Sequence, residues 1–138
     1  MSKDKKKVQK MVPVSKKVEP VYKTFLYLMP QETSARALME KLDFVAPDAL
    51  EIWPEIDILE VTLENERTIT FENLREDLYE EDYGILEEMG FKDVYLFEYA
   101  EEDRVMMQKV MGIYLEAFGG KIASDTDDFM PMLDVAEL

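Results

Sequence analysis

Residues 94–99, Val-Tyr-Leu-Phe-Glu-Tyr, constrain the fold more than any other stretch of the chain. In a strand, Val94 and Leu96 point to one side and Tyr95, Phe97 and Tyr99 to the other. Both sides are apolar, so the segment predicts a strand whose two faces are covered. An amphipathic helix follows it. Met107, Val110, Met111, Tyr114, Leu115 and Phe118 recur at helical spacing, Glu101, Glu102 and Asp103 put negative charge at the helix start, and Gly119 ends it.

The remaining elements are read around this pair. Residues 20–29 are rich in β-formers and stop at Pro30, and Thr33 or Ser34 caps a helix running to Leu42. A short strand, Leu50 to Trp53, precedes Pro54. Leu59, Val61 and Leu63 alternate, as do Ile69 and Phe71, which predicts a hairpin. A turn at Asn65-Glu66 would oppose Leu63 to Thr68, whereas a loop of Asn65, Glu66 and Arg67 opposes Leu63 to Ile69 and Val61 to Phe71. Matching of apolar faces favours the second register. Ile56 and Ile58 fall out of phase with Leu59, which signals a bulge or a late strand start. Residues 74–89 are helical in part, with Gly84 as a break and Gly90 as the stop. Lys121 to Ser124 forms a short closing strand, and an acidic, methionine-bearing segment ends the chain. The fold class is therefore α+β, a ferredoxin-like β-α-β-β-α-β arrangement extended by a C-terminal helix and a short strand.

Charge divides the chain in two. Residues 1–17 hold seven lysines against Asp4, a net of +6; with −15 overall, residues 18–138 carry nine basic and 30 acidic side chains, a net of −21. The expected organisation is a disordered basic tail over 1–17 and one acidic domain over 18–138. No apolar run follows the first lysines and none is long enough to span a bilayer, so the cytoplasm is the expected location.

The chain has no cysteine and no histidine. Disulfides, thiol nucleophiles, zinc–thiolate sites and Ser-His-Asp catalysis are thereby excluded, and no cofactor is expected. Among the carboxylates, Asp125, Asp127 and Asp128 follow a short strand and are the weak candidates for a hard cation. Their spacing fits no calcium loop, because Met130 falls where glycine is required and Ala136 at the last ligand position. Gly119-Gly120 follows a helix rather than opening one, which suits a hinge and not a phosphate loop. Glu80 and Glu81, like Glu87 and Glu88, read as a solvated helix face; with Asp82, Glu80 and Glu81 are candidates for contact with a partner.

Phe25 and Tyr27 share one face of the first strand, and Tyr95, Phe97 and Tyr99 one face of a later strand. If the strands are neighbours, these five make an aromatic sheet face. RNA-recognition sheets stack bases on such faces, but a body at −21 repels phosphate and only the tail suits nucleic acid. Burial of the face, under the C-terminal segment with Met130 and Met132 in the cover or at a homodimer interface, is the expected outcome.

Three functions are compatible with this reading. The leading one is a non-catalytic protein-binding module whose acidic body engages a basic partner; by size and charge alone it is analogous to bacterial toxin-neutralising proteins. The second is a small carboxylate- or metal-dependent enzyme centred on Asp125, Asp127 and Asp128. The third is an RNA-binding domain using the lysine tail and the aromatic face.

Overall fold

The computed structural model describes residues 20–138, and the lysine tail lies outside the described residues. Seven strands and three α-helices run in the order β1 (Tyr22–Met29), α1 (Ala35–Glu40), β2 (Leu50–Trp53), β3 (Ile58–Thr62), β4 (Thr68–Asn73), α2 (Glu80–Glu88), β5 (Asp93–Ala100), α3 (Arg104–Phe118), β6 (Lys121–Ala123) and β7 (Met132–Leu133). The strands form a single sheet in the order β2-β3-β4-β5-β1-β6-β7, and every neighbouring pair is antiparallel.

This order corrects the ferredoxin-like expectation. A ferredoxin-like sheet would set β1 between β4 and β5; here β5 lies between β4 and β1. The two apolar faces of β5 account for the central position. Tyr95, Phe97 and Tyr99 pack on one side with residues of α1 and α3, including Leu38, Met107, Val110, Met111 and Tyr114. Val94 and Leu96 pack on the other side with Leu26, Leu28, Leu86 of α2 and Phe129. The chain thus has a large core under α1 and α3 and a smaller one under α2 and the C-terminal segment.

Local signals place most boundaries. Ser34 caps α1, its hydroxyl accepting from the Ala37 N–H at 3.1 Å. Gly90, at φ 90°, ends the α2 region as expected. Gly84 does not break α2; it sits inside the helix, exposed, with no neighbour close enough for a Cβ to meet. The tight turn after Trp53 delays β3 until Ile58, and Asp57 takes up the reversal at φ 49°.

The hairpin register differs from the predicted one by two residues. Val61 opposes Ile69 and Leu59 opposes Phe71, with Thr62–Thr68 as the last pair. The faces are as predicted, because a shift of two preserves alternation. The loop is longer, running from Leu63 to Arg67, and is closed by the Leu63 N–H donating to the Arg67 carbonyl at 2.8 Å. Side chains of the loop hold it from outside the hairpin. Asn65 accepts from the Arg67 N–H at 2.9 Å, and both residues donate to the Asp103 carboxylate.

Gly120 is the tightest backbone approach. At φ 94°, a Cβ there would run into the Leu28 carbonyl oxygen and the Tyr27 ring. Gly120→Ala therefore combines left-handed strain with a backbone collision beside the β1–β6 pairing. Equilibrium urea unfolding should show a loss of at least about 2 kcal/mol.

Candidate functional site

The aromatic face is core. Tyr27, Tyr95, Phe97 and Tyr99 are fully buried and Phe25 is half-buried against them, with the Phe25 and Tyr99 rings stacked at 6.4 Å. The cover is α1 and α3 of the same chain together with part of the C-terminal segment, where Leu138 is buried in the same core and Leu133 and Val135 pack against it. The expected part of Met130 and Met132 in that cover is corrected. Met132 packs on the opposite side of the sheet with Leu26 and Phe129, and Met130 is exposed. No base has access to these rings. Three of the tyrosines are tied to backbone: Tyr27 donates to the Gly119 carbonyl at 2.7 Å, Tyr95 to Thr33 at 2.6 Å and Tyr114 to Leu38 at 2.9 Å. Among the described residues, the Tyr99 hydroxyl is buried without a hydrogen-bond partner. A hydroxyl left unpaired costs free energy, so Tyr99→Phe should leave stability unchanged or raise it by up to about 1 kcal/mol in the same unfolding measurement.

Asp125, Asp127 and Asp128 lie in an exposed turn. Thr126 organises it, its hydroxyl donating to the Met130 carbonyl at 2.7 Å and accepting from the Met130 N–H at 3.0 Å, which also donates to Asp128 Oδ1 at 3.1 Å. Among the described residues, no group of three or more carboxylates is arranged to hold a metal ion, and no helix is long and apolar enough to cross a membrane. Glu80, Glu81 and Asp82 occupy the first turn of α2, where they face the positive end of the helix dipole.

The sequence reading missed a polar network at one end of the sheet. Asp93 opens β5, and its side chain has no exposed surface. Its Oδ1 accepts from Asn73 Nδ2 at 2.8 Å and the Val94 N–H at 2.9 Å, and its Oδ2 from the Thr33 N–H at 2.8 Å and Arg75 Nη1 at 3.2 Å. Arg75 also reaches Asp57 Oδ2 at 3.4 Å and Glu32 at 3.5 Å, while Asp57 Oδ1 accepts from the Ala35 N–H at 2.9 Å. Burial pushes the Asp93 carboxyl above the ordinary carboxylate range; its four donors oppose that shift without cancelling it. Burial would lower Arg75, but the carboxylates of Asp93, Glu32 and Asp57 more than offset it and hold the guanidinium charged. An acidic cavity of about 210 Å³ lies beside Arg75, lined by Glu55, Asp57, Glu72, Glu76 and Asp77. Nothing in the local sequence marks Asp93, which follows Gly90-Phe91-Lys92 and reads as the end of a turn.

A second ion pair, Arg67 with Asp103, has the opposite electrostatic sign. The hydrogen bond from Arg67 at 2.8 Å holds the Asp103 carboxyl below its ordinary range. Its stabilisation is present above the unfolded carboxylate pKa and is lost as pH falls through the lowered folded value. For Asp93, raised in the fold, stability instead declines as pH rises from the unfolded pKa to the folded one. Asp103→Ala should flatten the acid arm of a stability–pH profile and cost about 1–2 kcal/mol near neutrality. Asp93→Ala should cost about 2–4 kcal/mol, because Thr33 and Asn73 lose their acceptor in the interior.

The remaining site is a surface. On the side of the sheet opposite α1 and α3, α2 and the C-terminal segment cover Leu26, Leu28, Val94 and Leu96. Beyond them, among the described residues, the strands lie open. One row crosses the sheet as Thr24, Glu98, Thr70, Glu60 and Glu51, each directly opposite the next. Glu72 and Trp53 stand one step along their strands on the same side, and Glu51, Glu72, Glu98, Trp53 and Thr24 are exposed. None of the side chains that these strands direct to this open part is basic.

Comparison with known protein families, curated proteins and solved structures finds no match for this chain.

Proposed function

We propose that the chain is a non-catalytic protein-binding module whose open acidic sheet face engages a basic partner, in the cytoplasm. The observation that supports this most is the cross-sheet row containing Glu98, Glu60 and Glu51. Glu51 and Glu60 are directly opposed, and like charges so placed destabilise the free protein. A cationic partner removes that repulsion on binding, so the unfavourable pairing becomes part of the driving force. Trp53, 37 % exposed at the end of the face, offers an aromatic surface to an arginine or lysine. The net of −21 on residues 18–138 draws positive partners into encounter over distances set by the ionic strength. The absence of histidine and cysteine is in keeping with a binding role.

The test measures association of the full chain with a fluorescent oligolysine peptide by stopped flow. The association rate should fall steeply as salt rises, with dissociation changing less. The triple variant Glu51→Gln, Glu60→Gln, Glu98→Gln should associate about tenfold more slowly. The triple variant Glu80→Gln, Glu81→Gln, Asp82→Asn, equal in charge but on α2, should behave nearly as the unmodified chain. Equal slowing by both variants, or a rate indifferent to salt, would overturn the assignment of this face.

A further inference from the structure

The open face ends where the lysine tail joins the body. Pro20 leads into β1, and Tyr22 and Thr24, the first residues that β1 directs to this side, are both exposed. Thr24 is the first member of the acidic row, beside Glu98. From β1 to β2 the row crosses four strand spacings, about 19 Å. About six extended residues cover that distance, and the lysines run from Lys17 back to Lys3. Lys16 and Lys17 fall within reach of Glu98, and Lys10 within reach of Glu60 and Glu51.

The basic residues of the chain are segregated to match. Seven of its 16 lysines and arginines lie in residues 1–17, and none of the nine in the body is directed by a strand to the open part of this face. Lys23, next to Thr24 in the chain, alternates to the opposite face with Phe25, and Arg67 is paired with Asp103, so the tail is the concentrated source of positive charge joined to this edge of the row.

We propose that residues 3–17 dock across the acidic sheet face and compete there with the basic partner. The inference rests on the reading of that face as a site for positive charge. Exposed ion pairs are individually weak, but a tether this short gives the lysines an effective concentration in the millimolar range. Such an occupant excludes weak, non-specific cations and yields to a partner with better contacts.

The experiment is zero-length carbodiimide cross-linking of the full chain, at low and high salt, using a mixture of isotopically labelled and unlabelled protein. The expected products join tail lysines to Glu51, Glu60, Glu72 or Glu98 within one chain, outnumber links to Glu80, Glu81 and Asp82, and disappear at high salt. A full-length variant with every lysine of residues 3–17 changed to glutamine should bind oligolysine about three- to tenfold more tightly than the unmodified chain. Links spread evenly over the acidic body, or links formed only between labelled and unlabelled chains, would overturn the proposal; the latter would make a second copy the occupant. Oligolysine binding at the face that is unchanged in the lysine variant would also overturn it, while leaving the proposed function intact. Intrachain links to the face without oligolysine binding to the lysine variant would support the docking and remove the external partner.

Discussion

Burial of β5 on both sides is the constraint on which the architecture depends. A strand with Tyr95, Phe97 and Tyr99 on one face and Val94 and Leu96 on the other loses hydrophobic free energy wherever either face meets water. It must therefore lie inside the sheet, with structure above and below. β1 and β4 flank it, α1 and α3 cover its aromatic side, and α2 covers the other. The second cover is small because α2 has nine residues and one buried side chain, Leu86. A helix of that length cannot shield seven strands, and the part of the sheet it leaves open has mainly threonine and glutamate side chains, with Tyr22, Trp53 and Ile58 towards its ends.

The polar interior is concentrated at one end of that central strand. Asp93 ties the entrance of β5 to the end of β4 through Asn73, to the approach to α1 through Thr33, and to Arg75 after the sheet turns away. A buried charge is tolerated because four donors converge on it, and it gives the surrounding segments one geometry in which they are all satisfied. Asp57 extends the same network to the turn before β3, so the cap of α1 and the hairpin start are set together. At the other end, Asp103 joins the hairpin loop to the start of α3 through Arg67 and Asn65. The two carboxylates hold the hairpin at both of its ends.

Much of the fold was legible in the sequence. Alternation along β1, β3, β4 and β5 and the helical period of α3 identified these elements and their inward faces, because each depends only on neighbours within the segment. What failed depended on distant residues. The hairpin register follows from loop side chains bound to Asp103, some 36 residues further along the chain than Arg67. The position of β5 beside β4 follows from two covers, one of them made by α2. The candidate surface was half legible: the excess of negative charge was plain, but the row of Glu51, Glu60 and Glu98 exists only once four antiparallel strands are in register.

The sequence by itself determined the chemistry at hand: no thiol or imidazole, a basic segment joined to an acidic body, and an apolar strand that demanded two covers. Charge and hydrophobic period are properties of a residue and its near neighbours, and so they survive without a structure. The tertiary structure decided which glutamates face one another, that the aromatic residues are core, and that Asp93 is buried with its donors. Those outcomes turn on which strands pair and which helix lies over them, and pairing is fixed by the summed burial of the whole sheet and not by any one segment.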